Sequence, residues 1–383
     1  MEFTMPGRYA LKLDRDRVAE ARDRCNKYYH KQKVDKLPFR YNSGTPKCPP
    51  YSTGDVIRDT DKLIERTIAA INAQTESFPD TDYLPYLGMA HLGQGAVASM
   101  FGAAQYIVED NPPFTEGRVM RTIYDLPKLP RKINPETDGW GPKIKETCEK
   151  FLDAVNCEVP VLVSDHQSPY GTATKICDNE EYLLAMYDEP EMVHEFMDIV
   201  TTGIEDTIDA MERWCGKENL VKNEAVPAPG GENGLIIWDD YISVITPSLH
   251  TEFCAPCNKR LYEKYGRGHL HTCGPYFPGY IDACLACGPV SMDLTIMRGM
   301  SRSKEDMLSF RRITREAGVI LMGSPDYTSK HIFDAEWGEK DDAYMRAMAD
   351  GGLFYSEWGA PENGAARTKY WRDLTRDLVN AWR

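Results

Sequence analysis

The sequence predicts an α/β fold of the (β/α)8 TIM-barrel class, on two observations. From residue 157 onward, short apolar runs alternate with amphipathic stretches about every 25–45 residues, as expected for buried parallel strands joined by helices. Several apolar runs end in polar residues, and the strands of such a barrel carry the active site at that end. An open doubly wound sheet would also place polar groups there. The number of strand–helix units favours the barrel.

The individual elements follow from hydrophobic spacing and from end signals. Thr246-Pro247 is an N-cap followed by proline at the first helical position, and Gly266 ends the same helix. Short apolar runs predict strands at 159–165, 235–240, 268–273, 292–296, 319–324 and 353–358. Helical spacing predicts helices at 59–74, 143–155, 180–187, 190–214, 247–266, 276–287, 303–317, 340–350 and 363–382.

Two regions are expected along the chain. Residues 1–60 are predicted to form an N-terminal extension, with a highly charged helical part followed by a stretch rich in proline and glycine. Residues 61–383 are predicted to form the catalytic barrel.

The charge balance limits the kinds of partner. Asp and Glu number 59 and Lys and Arg 45, so the formal net charge is −14. Nucleic acids and anionic membranes require a basic face, so neither is expected as a partner. No apolar run reaches the roughly 20 residues of a membrane span, and the N-terminus lacks the apolar segment of a signal peptide. A cytoplasmic location is expected, with the eleven cysteines as free thiols.

The stretch 268–273 carries the clearest ligand pattern. Side chains alternate along a strand, so His269, His271 and Cys273 share one face. Imidazole and thiolate are the usual ligands of zinc. His271 and Cys273 are therefore predicted to bind zinc where the strand ends. A buried histidine and a buried cysteine of an ordinary core would produce the same pattern.

A zinc site of this kind needs a third protein ligand. Carboxylates at other strand ends can supply it, and Glu357 is predicted in preference to Asp240 and Asp326.

Asp240, Gln167 and Asp82 are the predicted catalytic residues. Asp239 and Asp240 are adjacent in a predicted strand, so only one of them can face the barrel mouth and act as an acid or base. Gln167 follows another strand and can donate hydrogen bonds to a substrate. Asp82 lies in a segment with two tyrosines that could line a pocket, and an ordinary polar turn is an equal alternative.

Four motifs together resemble the uroporphyrinogen decarboxylase superfamily. They are similar to its D-x-Q-G-P, its DD followed by SP, its H-x-C-G and its G-N-x-D-P. The corresponding segments are Ser164–Pro169, Trp238–Asp240 with Thr246-Pro247, His271–Gly274 and Met322–Asp326. The resemblance covers most of the chain, and it implies a (β/α)8 barrel with its site at the carboxyl ends of the strands.

The superfamily has two chemistries, and the motifs resemble one of them more closely. Its porphyrinogen decarboxylases carry an arginine-rich segment near the N-terminus and a catalytic histidine near the C-terminus. Residues 39–44 lack the arginine-rich pattern, and the corresponding C-terminal segment, residues 351–363, contains no histidine. Its cobalamin-dependent methyltransferases hold zinc with H-x-C, matched by His271 and Cys273, and with a later cysteine. No cysteine follows Cys287. This departure leaves room for a carboxylate ligand such as Glu357 and for methyl donors that are ethers.

The resemblance implies a methyltransferase that moves a methyl group from a small donor to the cobalt of a separate corrinoid protein. An aryl methyl ether is the favoured donor, as in anaerobic O-demethylation, because aromatic residues lie near several predicted strand ends. The expected cofactors are zinc and the corrinoid that the partner carries.

Two alternatives stay open. One is a decarboxylase of a porphyrinogen-like or other carboxylate substrate, which would need Arg40, Arg298 or Arg302 in the mouth. The other is a non-catalytic barrel that binds a tetrapyrrole or a corrinoid protein. The sequence does not decide between a monomer and a homodimer.

Overall fold

The computed structural model describes residues 10–42, 48–273, 279–293, 303–323, 341–358 and 363–380, and the side chains of Glu357, Trp358 and Asn380 lie outside the description. The strands are β1 (Phe39–Asn42), β2 (Ala104–Tyr106), β3 (Phe114–Glu116), β4 (Val161–Leu162), β5 (Leu220–Val221), β6 (Ile237–Trp238), β7 (His269–His271), β8 (Ser291–Asp293), β9 (Ile320–Gly323) and β10 (Leu353–Trp358). The helices are α1 (Arg15–Tyr29), α2 (Thr53–Arg58), α3 (Thr60–Ser77), α4 (Ala96–Met100), α5 (Gly141–Ala154), α6 (Pro169–Ile176), α7 (Asn179–Asp188), α8 (Pro190–Cys215), α9 (Pro247–Leu249), α10 (Ala255–Tyr265), α11 (Tyr280–Ala286), α12 (Lys304–Glu316), α13 (Asp342–Ala349) and α14 (Gly364–Leu374).

The helix ends follow ordinary capping chemistry. Ser303 begins α12 with a capping box, in which its side chain accepts the N–H of Asp306 and the Asp306 carboxylate accepts the N–H of Ser303. Gly216 ends α8 at a φ of +77°, a backbone conformation that favours glycine. A π-helical turn, His250–Cys254, joins α9 to α10 within the predicted helix 247–266. Among the described helices, none combines the length and apolar character needed to cross a membrane.

Six strands form one parallel sheet in the order β1-β10-β9-β8-β7-β6, and β4 pairs in parallel with β5. Backbone hydrogen bonds continue the pairing beyond both edges. The N–H of Ile236 donates to Lys222 O (2.8 Å) between β6 and β5, and the N–H of Asp82 donates to Phe39 O (2.8 Å) beside β1. Leu87, five residues after Asp82, forms an isolated parallel β-bridge with Val161 of β4. The α/β class is confirmed, and this path around the sheet is the one expected of a barrel.

The N-terminal region is part of the main sheet and not a separate extension. β1 lies within residues 1–60 and pairs in parallel with β10 along its whole length. Helix α1 packs on the same strand, because the Tyr28 hydroxyl accepts the N–H of Leu353 (2.8 Å). The predicted boundary at residue 60 is corrected on this point. A four-residue strand inside a proline-rich stretch is too short to produce a readable period.

Strands β2 and β3 take no part in the parallel pairing. β2 and β3 form an antiparallel ribbon with Tyr106 opposite Phe114. The ribbon was not predicted, and its alternate residues are exposed.

Candidate metal centre and active site

Polar side chains collect at the carboxyl ends of three neighbouring strands. β6 ends at Trp238, β7 at His271 and β8 at Asp293, and the strands pair in that order. Parallel pairing places these ends side by side. Asp240, two residues beyond β6, therefore meets the residues that end β7.

Two overlapping groups of possible metal ligands lie here, His269 with His271 and Asp293, and Asp240 with His271 and Cys273, of which the second is nearer the solvent. Nε2 of His271 lies 3.2 Å from Sγ of Cys273 and 3.6 Å from Oδ1 of Asp240. The backbone N–H of Cys273 donates to the same Oδ1 (2.9 Å), which fixes the residue after β7 against the residue after β6. One ligand atom of each residue lies within 4.8 Å of the others.

Asp293 contacts the ring nitrogen of His271 that faces away from Cys273. Its carboxylate pairs with Nδ1 of His271 and lies 3.1 Å from Nε2 of His269, whose Nδ1 is 2.8 Å from the Ser291 hydroxyl. Burial opposes a charge on His271, but Asp293, with Cys273 and Asp240, raises the pKa of His271 to about 12. Burial likewise opposes the Asp293 carboxylate, but the two histidines hold its pKa well below the ordinary value.

The donor set fits a zinc ion. Zinc bonds of about 2.0–2.3 Å place tetrahedral ligand atoms about 3.3–3.8 Å apart. The two separations at Nε2 of His271, 3.2 and 3.6 Å, are close to that range. Asp293 holds the other ring nitrogen, as carboxylates do for the histidines of metal sites. Asp240, His271 and Cys273 are therefore the residues that would hold the ion, and binding would displace a proton from His271.

Gln167 links Asp240 to a second carboxylate. Its side-chain N–H donates to Oδ2 of Asp240 (3.2 Å) and to Oδ1 of Asp165 (2.9 Å), and Gln94 also donates to Oδ2 of Asp240 (3.1 Å). Gln167 has a φ of +56°, and its Oε1 is buried without a hydrogen-bond partner. A strained backbone and an unsatisfied amide both cost stability and are found most often where a site needs them.

Asp165 is suited to carry a proton in the mouth. Burial raises the pKa of its carboxyl to about 6, Asp240 and Glu224 add to the rise, and the hydrogen bonds from Gln167 oppose it. A carboxyl that is partly protonated near neutral pH can serve as a general acid.

Asp239 points away from the mouth. Its buried carboxylate accepts hydrogen bonds from Ser168 Oγ (2.8 Å) and Asn258 Nδ2 (3.1 Å) and lies 2.9 Å from Nε2 of His250. Burial opposes the charge, but His250, Ser168 and Asn258 together lower the pKa of Asp239. The two adjacent aspartates thus have different environments, as their positions in a strand require.

A further carboxylate lies among aromatic rings next to this group. Glu224 follows β5, and it accepts hydrogen bonds from Trp238 Nε1 (3.2 Å) and from the Tyr86 hydroxyl (3.3 Å). The Arg40 guanidinium donates to the backbone carbonyls of Glu224 and Ala225. The described part of the mouth is therefore lined by carboxylates and aromatic side chains, and Arg40 is engaged by the backbone.

The structure brings together four of the six predicted site residues. His271, Cys273, Asp240 and Gln167 form one connected group. Glu357 belongs to β10, but its side chain lies outside the described residues. Asp240, predicted as a catalytic acid, is the third member of this group of possible metal ligands among the described residues.

Asp82 lies apart from this cluster. Its carboxylate accepts the N–H of Phe39 (2.8 Å), the first residue of β1, and pairs with Arg24 and with Arg372 (2.6 Å). The side chain is 1% exposed. The structure therefore gives Asp82 a role in joining chain segments at the amino end of a strand, in place of the predicted catalytic role.

Three residues of the site were missed. Asp165 ends a predicted strand, so the rule that selected His271 and Gln167 would also have selected it. Asp293 lies near the start of the predicted strand 292–296, and only the structure shows that β8 ends at this residue. Glu224 follows β5, whose two residues carry no detectable period after the long helix α8.

The comparisons with known proteins agree with this architecture. The family model described as Uroporphyrinogen decarboxylase (URO-D) matches residues 95–213, a range that includes Asp165 and Gln167. A search of curated proteins found no significant match. Among solved structures, a methyltransferase from Methanosarcina mazei superposes with a TM-score of 0.60 at 15% identity, over 92% of this chain and 98% of that chain.

The resemblance that the motifs predicted is therefore confirmed over residues 95–213, and the solved methyltransferase shares the fold of most of the chain. Within that fold, the site combines a donor set suited to zinc with a mouth of carboxylates and aromatic rings.

Proposed function

We propose that the protein is a methyltransferase that moves a methyl group from a small donor to the cobalt of a separate corrinoid protein, and that the donor is an aryl methyl ether. The observation that carries the proposal is the group Asp240, His271 and Cys273 at the barrel mouth, supported by Asp293. The solved structure of the same fold that is named as a methyltransferase gives further support.

The reaction needs a way to stabilise its leaving group. The electron pair of Co(I) would form the bond to the methyl carbon while the C–O bond breaks, and the electrons of that bond would remain on the phenolate oxygen. A zinc ion bound by His271, Cys273 and Asp240 would act as a Lewis acid toward that oxygen. Asp165 is connected to Asp240 through Gln167, and burial raises its pKa to about 6, so its protonated fraction can donate a proton to the phenolate.

The aromatic residues suit an aryl donor. Trp238 and Tyr86 are both tied to Glu224, so their rings are fixed in orientation near the metal ligands. Fixed rings bind an aromatic substrate at low entropic cost.

A decarboxylase has less support. Such an enzyme must hold carboxylates, but Asp165, Asp240 and Glu224 would repel them. Of the three arginines considered above, Arg40 donates to backbone carbonyls, and Arg298 and Arg302 lie outside the described residues.

The test is metal content and methyl transfer on anaerobically purified protein. Wild type and Cys273→Ser would be compared by elemental analysis, and by the consumption of cob(I)alamin with a panel of methoxyarenes. Cys157→Ser, at an exposed thiol, is the matched control. We expect about one zinc per chain in wild type and in the control, and loss of zinc and turnover in Cys273→Ser. Wild type without methyl transfer from any donor would overturn the proposal.

A further inference from the structure

The ribbon formed by β2 and β3 has one apolar face that is open to solvent. Tyr106 and Phe114 are opposite each other on this face, 54% and 50% exposed, with ring centroids 5.3 Å apart. The adjacent residue on each strand, Gln105 or Thr115, faces inward, and the two side chains hydrogen-bond each other (3.1 Å). Exposed apolar patches rimmed by polar residues often mark interaction surfaces.

The ribbon is seated on a segment that touches the metal centre. A side chain at Gly95 would meet Gln105 and Thr115 at 2.1 and 2.6 Å, and one at Gly93 would meet Pro113 at 2.6 Å. At Gly93 the neighbour is the backbone carbonyl of Pro113 and φ is +67°, so this approach favours glycine and places the ribbon directly against the segment. Between the two glycines, Gln94 reaches Asp240 with a hydrogen bond of 3.1 Å. The ribbon therefore lies at the rim of the mouth.

We propose that the outer face of this ribbon, centred on Tyr106 and Phe114, docks the corrinoid protein during methyl transfer; the inference rests on the proposed function. The acceptor cobalt lies in a macrocycle that a protein carries, so it must approach from outside and come within about 3–3.5 Å of the methyl carbon. Its carrier must then cover the rim, where this apolar pair is exposed.

The charges around the pair define the partner's face. Asp110 and Glu116 are exposed on the same ribbon, and the chain as a whole carries a net charge of −14. An interface of this composition matches a partner with an apolar centre and a basic rim around its corrinoid.

A second exposed apolar patch serves as a comparison. Tyr124, Leu184 and Tyr187 are 64%, 57% and 66% exposed, and they lie on α7 and on the short helix Ile123–Lys128. None of their described hydrogen bonds leads to the metal ligands, since the Tyr124 hydroxyl bonds to Glu189.

The test separates the two acceptors of the methyl group. Transfer would be measured to free cob(I)alamin and to the cobalt-containing protein fraction from source cells that wild type methylates. For Tyr106→Ser with Phe114→Ser, we expect the KM for the protein acceptor to rise at least about tenfold. The rate with free cob(I)alamin should stay within about twofold, because the metal ligands are untouched. Glu116→Lys should slow association with the protein acceptor at low salt without altering the apolar face.

Each other result overturns the inference in a distinct way. Leu184→Ser with Tyr187→Ser is the control, and a matching rise in KM there would remove the specificity of the ribbon. Unchanged KM in both ribbon variants would show that the partner docks elsewhere. Equal loss with both acceptors would assign the ribbon a structural role. A change from dimer to monomer in the ribbon variants would identify a second copy of the chain as the occupant. Wild type that methylates neither acceptor would contradict the proposed function itself.

Discussion

Replacing Asp293 by asparagine tests the proposed zinc site through a residue outside the proposed ligand set Asp240, His271 and Cys273. The Asp293 carboxylate contacts both His269 and His271, and it holds the proton on His271 by raising the pKa of that imidazole to about 12. Asparagine has the same size, but its single acceptor oxygen can serve only one imidazole. Loss of such a supporting carboxylate typically costs 10–100-fold in metal affinity, or about 1.4–2.8 kcal/mol.

The change in zinc affinity should depend on pH, because zinc and a proton compete for His271. In wild type, zinc must displace a proton from His271 throughout pH 7–9, so the logarithm of the zinc affinity gains about one unit per pH unit. In Asp293→Asn the pKa of His271 returns toward its ordinary value of about 6.5, and this requirement disappears above pH 7. The variant should therefore bind zinc with a pH slope shallower by about one unit, so its affinity relative to that of wild type should fall as the pH rises from 7 to 9.

The assay is zinc competition against a chelator of known affinity at pH 7, 8 and 9. Ser291→Ala is the matched control, because Ser291 contacts His269 and not His271. The control should keep the wild-type slope. Parallel slopes for wild type and Asp293→Asn would refute the assignment of the His271 proton to Asp293.

Two further variants test other carboxylates. Asp165→Asn should lower turnover about 100-fold or more if Asp165 is the acid, and should abolish the decline in kcat as the pH rises above 6. Because burial raises this pKa, the protonated carboxyl stabilises the folded state below about pH 4, and this stabilisation is lost as the pH rises through 6. The free energy of unfolding of Asp165→Asn should not show this fall between pH 4 and pH 6. Asp82→Ala should cost about 3–5 kcal/mol in urea unfolding, because it leaves Arg24 and Arg372 without their buried partner. An unchanged midpoint would contradict this role, and turnover at low temperature should stay near wild type.

The ligand group was predictable because its signals are local. His271 and Cys273 lie on one short strand, and Asp240 and Gln167 each follow an apolar run, so the strand-end rule found all four. The contacts among these four residues depend on the order of the strands in the sheet, which could not be predicted from local sequence patterns. The sequence therefore identified Asp240 as an acid, and only the pairing of β6 with β7 brings it beside His271.

The errors have a common physical origin. Asp82 sits among tyrosines in a polar segment, and a pocket or a buried ion pair has the same local sequence. Its partners Arg24 and Arg372 are 58 and 290 residues away along the chain, a separation that no local pattern records. β1 was missed for a related reason, since its partner β10 lies near the opposite end of the chain.

In the proposed zinc site, Asp240 would determine which methyl donor the ion suits. A thiolate gives electron density to zinc, and replacing one thiolate by a carboxylate leaves the ion a stronger Lewis acid toward a hard ether oxygen. Asp240→Cys should therefore retain zinc, and its cobalt-substituted form should gain sulfur-to-metal charge-transfer absorption, while turnover of aryl ethers falls. Asp240→Asn should lose zinc, because the neutral amide is a poor ligand for zinc. Full zinc occupancy in Asp240→Asn would exclude Asp240 as a ligand, and the carboxylate of the site would then have to come from another strand.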